Sequence, residues 1–235
     1  MPFRAKASII SAAAAACALL APAAMASPGV SHSPVQVTGK KLKSGLLPAS
    51  HILAGYSVIF SNNSGGKLEH STLFHIPSMK CANFWGFIAT VKGFGETAFA
   101  TELAGSGGKT AVEETFQQSV YQFAGNHGAA AAFGQISAKY KSCRSVSTAD
   151  GHGGTLRQTV HSRKAERVGG HQSLLLTEYF TDSSAPGAPL VTVALWTLDG
   201  NDIYMINSML LSVHAPKPTL SSLMLKLIPR VRALK

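Results

Sequence analysis

The chain has 235 residues, a formal net charge of +10, 46% hydrophobic residues and 14% charged residues. This length suits one large domain or two small ones, and the composition excludes a wholly disordered chain. Beyond the N-terminus, no apolar stretch approaches the length of a membrane-spanning helix.

Residues 1–26 have the organisation of a secretory signal peptide. Arg4 and Lys6 form a short basic region, and an apolar stretch rich in Ala and Leu follows. Small residues at Ala24 and Ala26 stand at the positions that signal peptidase requires. We therefore predict cleavage after Ala26 and secretion of the mature chain, against the alternative of an uncleaved membrane anchor.

The sequence has three cysteines, Cys17, Cys81 and Cys143. The segment Ala14-Ala15-Ala16-Cys17 is a weak likeness of a lipobox, so a lipoprotein attached through Cys17 is a minor alternative. Cleavage after Ala26 leaves Cys81 and Cys143, an even number in an oxidising compartment. We predict that they form one disulfide, and the alternative is two buried free thiols.

Residues 27–44 are rich in Ser, Pro, Gly, Val and Lys and show no apolar periodicity. They are predicted to be a flexible tether before a single domain over 45–235. Lys40, Lys41 and Lys43 cluster in this segment. They are predicted either to be solvated or to make peripheral contact with an anionic cell surface.

The remaining pattern predicts both strands and helices. Alternating and apolar runs indicate strands at 56–60, 96–103, 114–123, 154–161, 172–181, 189–198 and 202–210. Apolar spacing predicts a helical turn at 46–53 and helices at 84–91, 126–143 and from Pro216 or Pro218 onward. The predicted fold class is α+β, with an antiparallel sheet of about six strands and helices packed on it.

Two local patterns are the most specific. Ala129, Phe133, Ile136 and Tyr140 recur at steps of four, three and four, which predicts one buried helix face. The tripeptide 199–201, Asp-Gly-Asn, joins two apolar runs at the length of a hairpin turn.

No motif predicts catalysis, a metal site or a cofactor. Gly108-Lys109-Thr110 resembles the end of a phosphate-binding loop, but Leu103 stands where that loop needs glycine. A glycine turn between two strands is the preferred interpretation. The sequence has no HExxH or GxSxG motif, so we predict a protein that is not an enzyme.

The strands are two-sided, and one side is polar. Gln117 and Tyr121, Arg157, and Tyr179 each alternate with apolar residues of their own strand. We predict an apolar face covered by helices and a polar face that lines a ligand cleft, with a contribution from Trp196. The alternatives are a polar face that is only solvated and a tryptophan in the core.

The order of short motifs along 44–235 resembles one known family. It is similar to the extracellular sensor-domain family first seen on PknH-type receptor Ser/Thr kinases of actinobacteria, which also occurs as free secreted proteins and lipoproteins. The motifs are Leu46-Leu47-Pro48-Ala49-Ser50, Gly93-Phe94-Gly95-Glu96-Thr97-Ala98, Val120-Tyr121-Gln122-Phe123-Ala124, Val168-Gly169-Gly170-His171 and the basic final helix.

The resemblance implies a twisted antiparallel sheet with flanking helices around a cleft, ligand sensing, and no catalytic residues to transfer. We therefore expect a secreted, non-catalytic binding module for a small molecule or a cell-envelope fragment, and no binding of nucleic acid. The alternatives are a secreted hydrolase with an unrecognised site and a structural envelope protein.

Overall fold

The computed structural model describes residues 37–65, 96–106, 114–149, 153–183, 189–210 and 219–235. These ranges all belong to one compact unit, Ser33–Lys235. The predicted signal peptide, Cys81 and the predicted helix at 84–91 lie outside the described residues. None of the helices within these ranges is both long enough and apolar enough to cross a membrane.

Eight strands form one antiparallel sheet in the order β1-β2-β3-β8-β7-β6-β5-β4. Their bounds are β1 Tyr56–Gly65, β2 Glu96–Ser106, β3 Glu114–Phe123, β4 Ser145–Ala149, β5 Thr155–Val168, β6 His171–Asp182, β7 Leu190–Asp199 and β8 Asp202–Leu210. The helices in the described ranges are α1 Gly39–Gly45, α2 Ala49–Ile52, α3 Asn126–Ser142 and α4 Leu220–Arg232.

The predicted α+β architecture, with about six strands flanked by helices, is therefore wrong. The eight-stranded sheet makes up most of the described structure, and the helices are few. One missed strand and two strands longer than predicted explain the error. The strand β4, with the sequence SVSTA, has only small or medium-sized side chains, β1 continues through a stretch of Ser and Asn that is typical of loops, and β5 runs well past residue 161.

The hairpin between β7 and β8 is confirmed. Asp199 pairs with Asp202, and Gly200 and Asn201 form the turn between them. Gly200 has a φ of +59°, a conformation that a glycine adopts without steric cost.

The sheet has a buried core on both faces. On one face, which we call the α4 face, α1, α2 and α4 pack on the strands. The predicted apolar stripe of the last helix is buried there, at Leu220, Leu223, Met224, Leu227, Ile228 and Val231. On the opposite face, the α3 face, Ala129, Phe133, Ile136 and Tyr140 pack against residues of the sheet. The expectation of one polar, uncovered face is not met.

The last part of the predicted tether is folded. Residues 39–45 form α1, and Leu42 is completely buried. Gln118 of β3 accepts from the backbone N–H of Leu47 at 2.8 Å and donates to its carbonyl at 2.6 Å. Gln122 accepts from the backbone N–H of Val37 at 2.8 Å. Two buried glutamines thus attach this segment to the α4 face.

Polar contacts also attach the end of α4 to the β7–β8 turn. Arg232 binds both carboxylate oxygens of Asp199, at 2.6 and 2.7 Å. Lys235 donates to Asp202 at 2.6 Å, and the same oxygen accepts from Tyr204. Because Asp202 is buried, this partner offsets part of the cost of burying its charge.

Candidate functional site

The five residues predicted to bind a ligand lie on different faces of the sheet. Gln117 and Tyr121 lie on the α3 face, as does Trp196 through its pairing with Met205. Arg157 and Tyr179 lie on the α4 face. Tyr179 pairs with Val191, whose side chain lies on the opposite face of the sheet from that of Trp196. The predicted set therefore does not form one site.

The two aromatic residues of the predicted set that lie on the α3 face, Tyr121 and Trp196, are close together. Tyr121 and Trp196 are stacked, with ring centroids 6.5 Å apart, and Phe99 stacks on the other side of Tyr121 at 6.4 Å. Trp196 is only 2% exposed. These rings belong to the core of the α3 face.

Arg157 and Tyr179 are neighbours on the outer part of the α4 face. Arg157 pairs with Thr181 and is exposed, and Tyr179 is half-buried with its ring centroid 4.8 Å from that of His161. Within the described ranges, α4 packs mainly on β7 and β8, away from this corner of the sheet.

The α3 face carries a line of polar side chains that the sequence analysis did not assemble. We call it the polar row, and it crosses five neighbouring strands through Gln158 of β5, Glu178 of β6, Thr192 of β7, Asn207 of β8 and Gln117 of β3. Glu178 lies directly opposite Thr192, and Asn207 lies directly opposite Gln117. Directly opposite residues have Cβ atoms about 5 Å apart, and diagonal neighbours such as Thr192 and Asn207 about 7–8 Å.

Several polar atoms in the middle of the polar row are buried and have no hydrogen-bond partner among the described residues. Glu178 and Thr192 are 0% exposed and Asn207 is 1% exposed. Neither amide atom of Asn207 has a hydrogen-bond partner, nor does the hydroxyl of Thr192 or Oε2 of Glu178. Native proteins rarely bury such groups unpaired, because each costs about 1–3 kcal/mol.

The two ends of the polar row are satisfied. Gln158 donates its side-chain amide to Oε1 of Glu178. At the other end, Gln117 donates to Thr101 at 3.2 Å, and Thr101 and Ser119 share a hydrogen bond of 2.7 Å. Gln117 and Thr101 are half-buried, so this end of the row is nearer to solvent than its middle.

Burial changes the acidity of the groups at this site. It raises the pKa of Glu178 to about 7, and the hydrogen bond from Gln158 partly offsets that rise. Burial also raises the pKa of Tyr140 on α3, and the charge of Glu178 adds to the effect. The carboxyl group of Glu178 is therefore partly protonated near neutral pH.

One feature of the sequence could have indicated the site residues that the sequence analysis missed. Thr192 and Asn207 interrupt strongly apolar strands, with the sequences LVTVALW and IYMINSML. A polar residue inside such a run is typical of a buried hydrogen-bonding position. Nothing in the sequence, however, shows that residues 178, 192 and 207 share one face.

Other predicted features have different outcomes. Cys143 is buried at the end of α3, but its predicted partner Cys81 lies outside the described residues, so the disulfide stays a prediction. Among the described residues, no group of three or more His, Cys, Asp or Glu side chains could hold a metal ion.

Comparison with solved structures identifies the fold. The extracellular domain of PknH from Mycobacterium tuberculosis matches with a TM-score of 0.60 and 15% sequence identity, over 85% of this chain and 98% of that domain. The chain has the PknH-type sensor-domain fold. The suspected resemblance is confirmed at the level of this fold.

A second structure, an uncharacterised protein from Mycobacterium smegmatis, matches with a TM-score of 0.39 and 9% identity, over 78% of this chain and 92% of that one. No protein-family model and no curated protein matches the sequence.

Proposed function

We propose that this protein is an extracellular, sensor-like and non-catalytic domain that binds an uncharged polar molecule in the polar row. The observation that carries the proposal is Asn207, whose donor and acceptor are both buried and both without a partner. The PknH-type fold supports the sensor-like role, since the extracellular domain of PknH shares it.

The chemistry of the row defines the class of ligand. Asn207 offers one acceptor and two donor hydrogens, and Thr192 offers a hydroxyl that can do both. A ligand group that both donates and accepts, such as a sugar hydroxyl or an amide, satisfies these atoms together. An anion is disfavoured, because Glu178 adjoins Thr192 and no described cation lies on the row.

Aromatic rings adjoin the polar groups on the same face. Trp196 lies two residues from Ala194, which is paired with Asn207, and the charge of Glu178 acts on Tyr140. A few convergent polar groups within apolar and aromatic surroundings are typical of small-molecule sites. The small side chain of Ala194 leaves more room opposite Asn207 than a larger residue would.

The test compares the mature protein, recovered from its own culture medium, with the variant Thr192→Val/Asn207→Leu. Native mass spectrometry on the unaltered protein is expected to show a bound neutral molecule, and the variant is expected to lose it. The matched control is Arg157→Gln/Tyr179→Phe on the other face, which should retain the bound mass. Loss of the ligand from the control, with retention by the polar-row variant, would contradict the proposal.

A further inference from the structure

The charged residues are distributed unequally between the interior and the surface. Of the fourteen Lys and Arg residues in the described ranges, thirteen are exposed. None of the eight Asp and Glu residues in the same ranges is exposed, and three of them are buried. The part of the surface that the structure describes is therefore more cationic than the net charge of the chain indicates.

The cations concentrate where the sheet has a free edge. The strand β4 pairs only with Thr155–Thr159 of β5, so β5 from residue 160 onward has β6 as its one neighbour among the described strands. Arg163, Lys164 and Arg167 are exposed along this edge. We call these three residues, with Lys141 and Arg144 at the end of α3, the basic edge.

Contacts bring the two parts of the basic edge together. Arg163 donates to the hydroxyl of Ser137 on α3. Lys141 lies one helical turn beyond Ser137 and on the same side of the helix. The carbonyl of Arg144 accepts from the backbone N–H of Val160 at 2.9 Å. Arg163, Lys141 and Arg144 thus lie close together, and Lys164 and Arg167 continue the region along the edge strand, with Lys164 on the opposite face of β5 from Arg163.

Few carboxylates neutralise this region. Residues 126–149 contain no Asp or Glu, and residues 153–168 contain only Glu166, which is half-buried. The three ion pairs of the described residues all lie at the β7–β8 turn, and none uses a cation of the basic edge. Unpaired clustered cations produce a positive field that attracts a polyanion.

We propose that the basic edge binds an acidic polysaccharide outside the cell. Arginine forks suit carboxylate, sulfate and phosphate groups, and a row of cations along an extended strand suits a linear polymer. A membrane is the less suitable partner, because the large exposed hydrophobic residues of the described ranges, Val58, Ile59, Phe60 and Leu225, lie neither on α3 nor on β5. This surface is separate from the polar row and does not depend on the function proposed for it.

The test uses the mature chain and heparin as a linear acidic polysaccharide, with neutral dextran as the negative probe. The variant Arg163→Gln/Lys164→Gln/Arg167→Gln is expected to bind heparin about tenfold more weakly at 0.15 M salt, with a shallower dependence on salt. The matched control is Lys40→Gln/Lys41→Gln/Lys43→Gln, which removes the same charge from α1 and should change affinity less than about twofold.

The other possible results of this experiment also support or overturn the proposal. An equal loss of affinity in the two triple variants would show that only net charge matters and would overturn the proposal. Binding to vesicles of phosphatidylglycerol without binding to heparin would assign the surface to a membrane instead. If the first variant does not fold, Lys164→Gln/Arg167→Gln retains the Arg163–Ser137 contact and is expected to lose at least threefold in affinity.

Discussion

The two faces of the sheet satisfy their buried polar groups differently. On the α4 face, Gln118 binds the backbone of Leu47, and Asp202 binds Lys235 and Tyr204. On the α3 face, the side chains of Asn207 and Thr192 have no hydrogen-bond partner among the described residues. Gln118 and Asp202 therefore attach segments of the same chain to the α4 face, where Oδ1 of Asp202 and Nε2 of Gln122 also lack a partner in the part of the chain that the structure describes, whereas both amide atoms of Asn207 are left available to another molecule.

Under the proposed function, this difference separates groups that serve stability from groups that serve binding. Satisfied polar groups contribute to stability, and unsatisfied buried ones reduce it unless a ligand completes them. Such a local conflict with stability is expected at functional sites. The following variants test the distinction, from the largest expected effect to the smallest.

Gln118→Met should reduce the free energy of unfolding by about 3 kcal/mol, because it leaves the N–H and the carbonyl of Leu47 buried without partners. Chemical denaturation with a fluorescence readout measures the change. The bound ligand, on the other face, should be retained in native mass spectrometry. A stability equal to that of the unaltered protein would show that these hydrogen bonds do not hold the N-terminal segment.

Glu178→Gln should increase the free energy of unfolding by about 3 kcal/mol at pH 8 and leave it nearly unchanged at pH 4.5. Burial raises the pKa of Glu178 from 4.5 to about 7, so the folded state holds a proton that the unfolded state has lost. The stability that depends on this proton is fully present below pH 4.5 and is lost as the pH rises through 7.

Thermal unfolding of both proteins across that pH range measures the effect. The two curves should converge in acid and separate with rising pH. Parallel curves would mean that the pKa of Glu178 is the same in the folded and the unfolded protein, and so that burial does not raise it.

Asn207→Leu should increase the stability of the ligand-free protein by about 1 kcal/mol, because it replaces an unsatisfied amide with an apolar group of similar size. The same variant should lose the ligand. Denaturation of samples freed of ligand by unfolding and refolding gives the first quantity. A decrease in stability of several kcal/mol would show that Asn207 has a structural role.

Arg232→Gln should have the smallest effect, about 0.5 kcal/mol of destabilisation. Its contact with Asp199 is bidentate, but half of the arginine side chain is exposed to solvent. The effect should shrink further at 0.5 M salt. Equilibrium denaturation at low and high salt checks both expectations, and a salt-independent loss would contradict them.

The parts of the fold that depend on local pattern were predictable. The buried face of α3, the stripe of α4 and the β7–β8 hairpin follow from apolar spacing and a glycine turn. The strand β4 was not predictable in this way, because Ser145 and its neighbours have only small or medium-sized side chains. Thr38 caps α1 with its hydroxyl, yet the segment around it is typical of a linker.

The candidate site was predictable only in part. Gln117 was assigned a binding role, and it does lie in the polar row. Glu178, Thr192 and Asn207 were missed, because their proximity depends on the pairing of strands that are distant in sequence. The separation of Arg157 from Tyr121 has the same cause. Alternation along one strand shows which of its residues share a face, but it does not show which residues of two different strands lie on the same face of the sheet.

One edge of the sheet has a consequence for handling the protein in concentrated solution. The strand β1 has one described neighbour, and its consecutive residues Val58, Ile59 and Phe60 are 41–50% exposed. An open edge strand with exposed apolar residues is a template for pairing between molecules, and such strands promote aggregation. Solubility and long-term storage are therefore expected to depend on β1, and a lysine at position 59 is the simplest way to improve both.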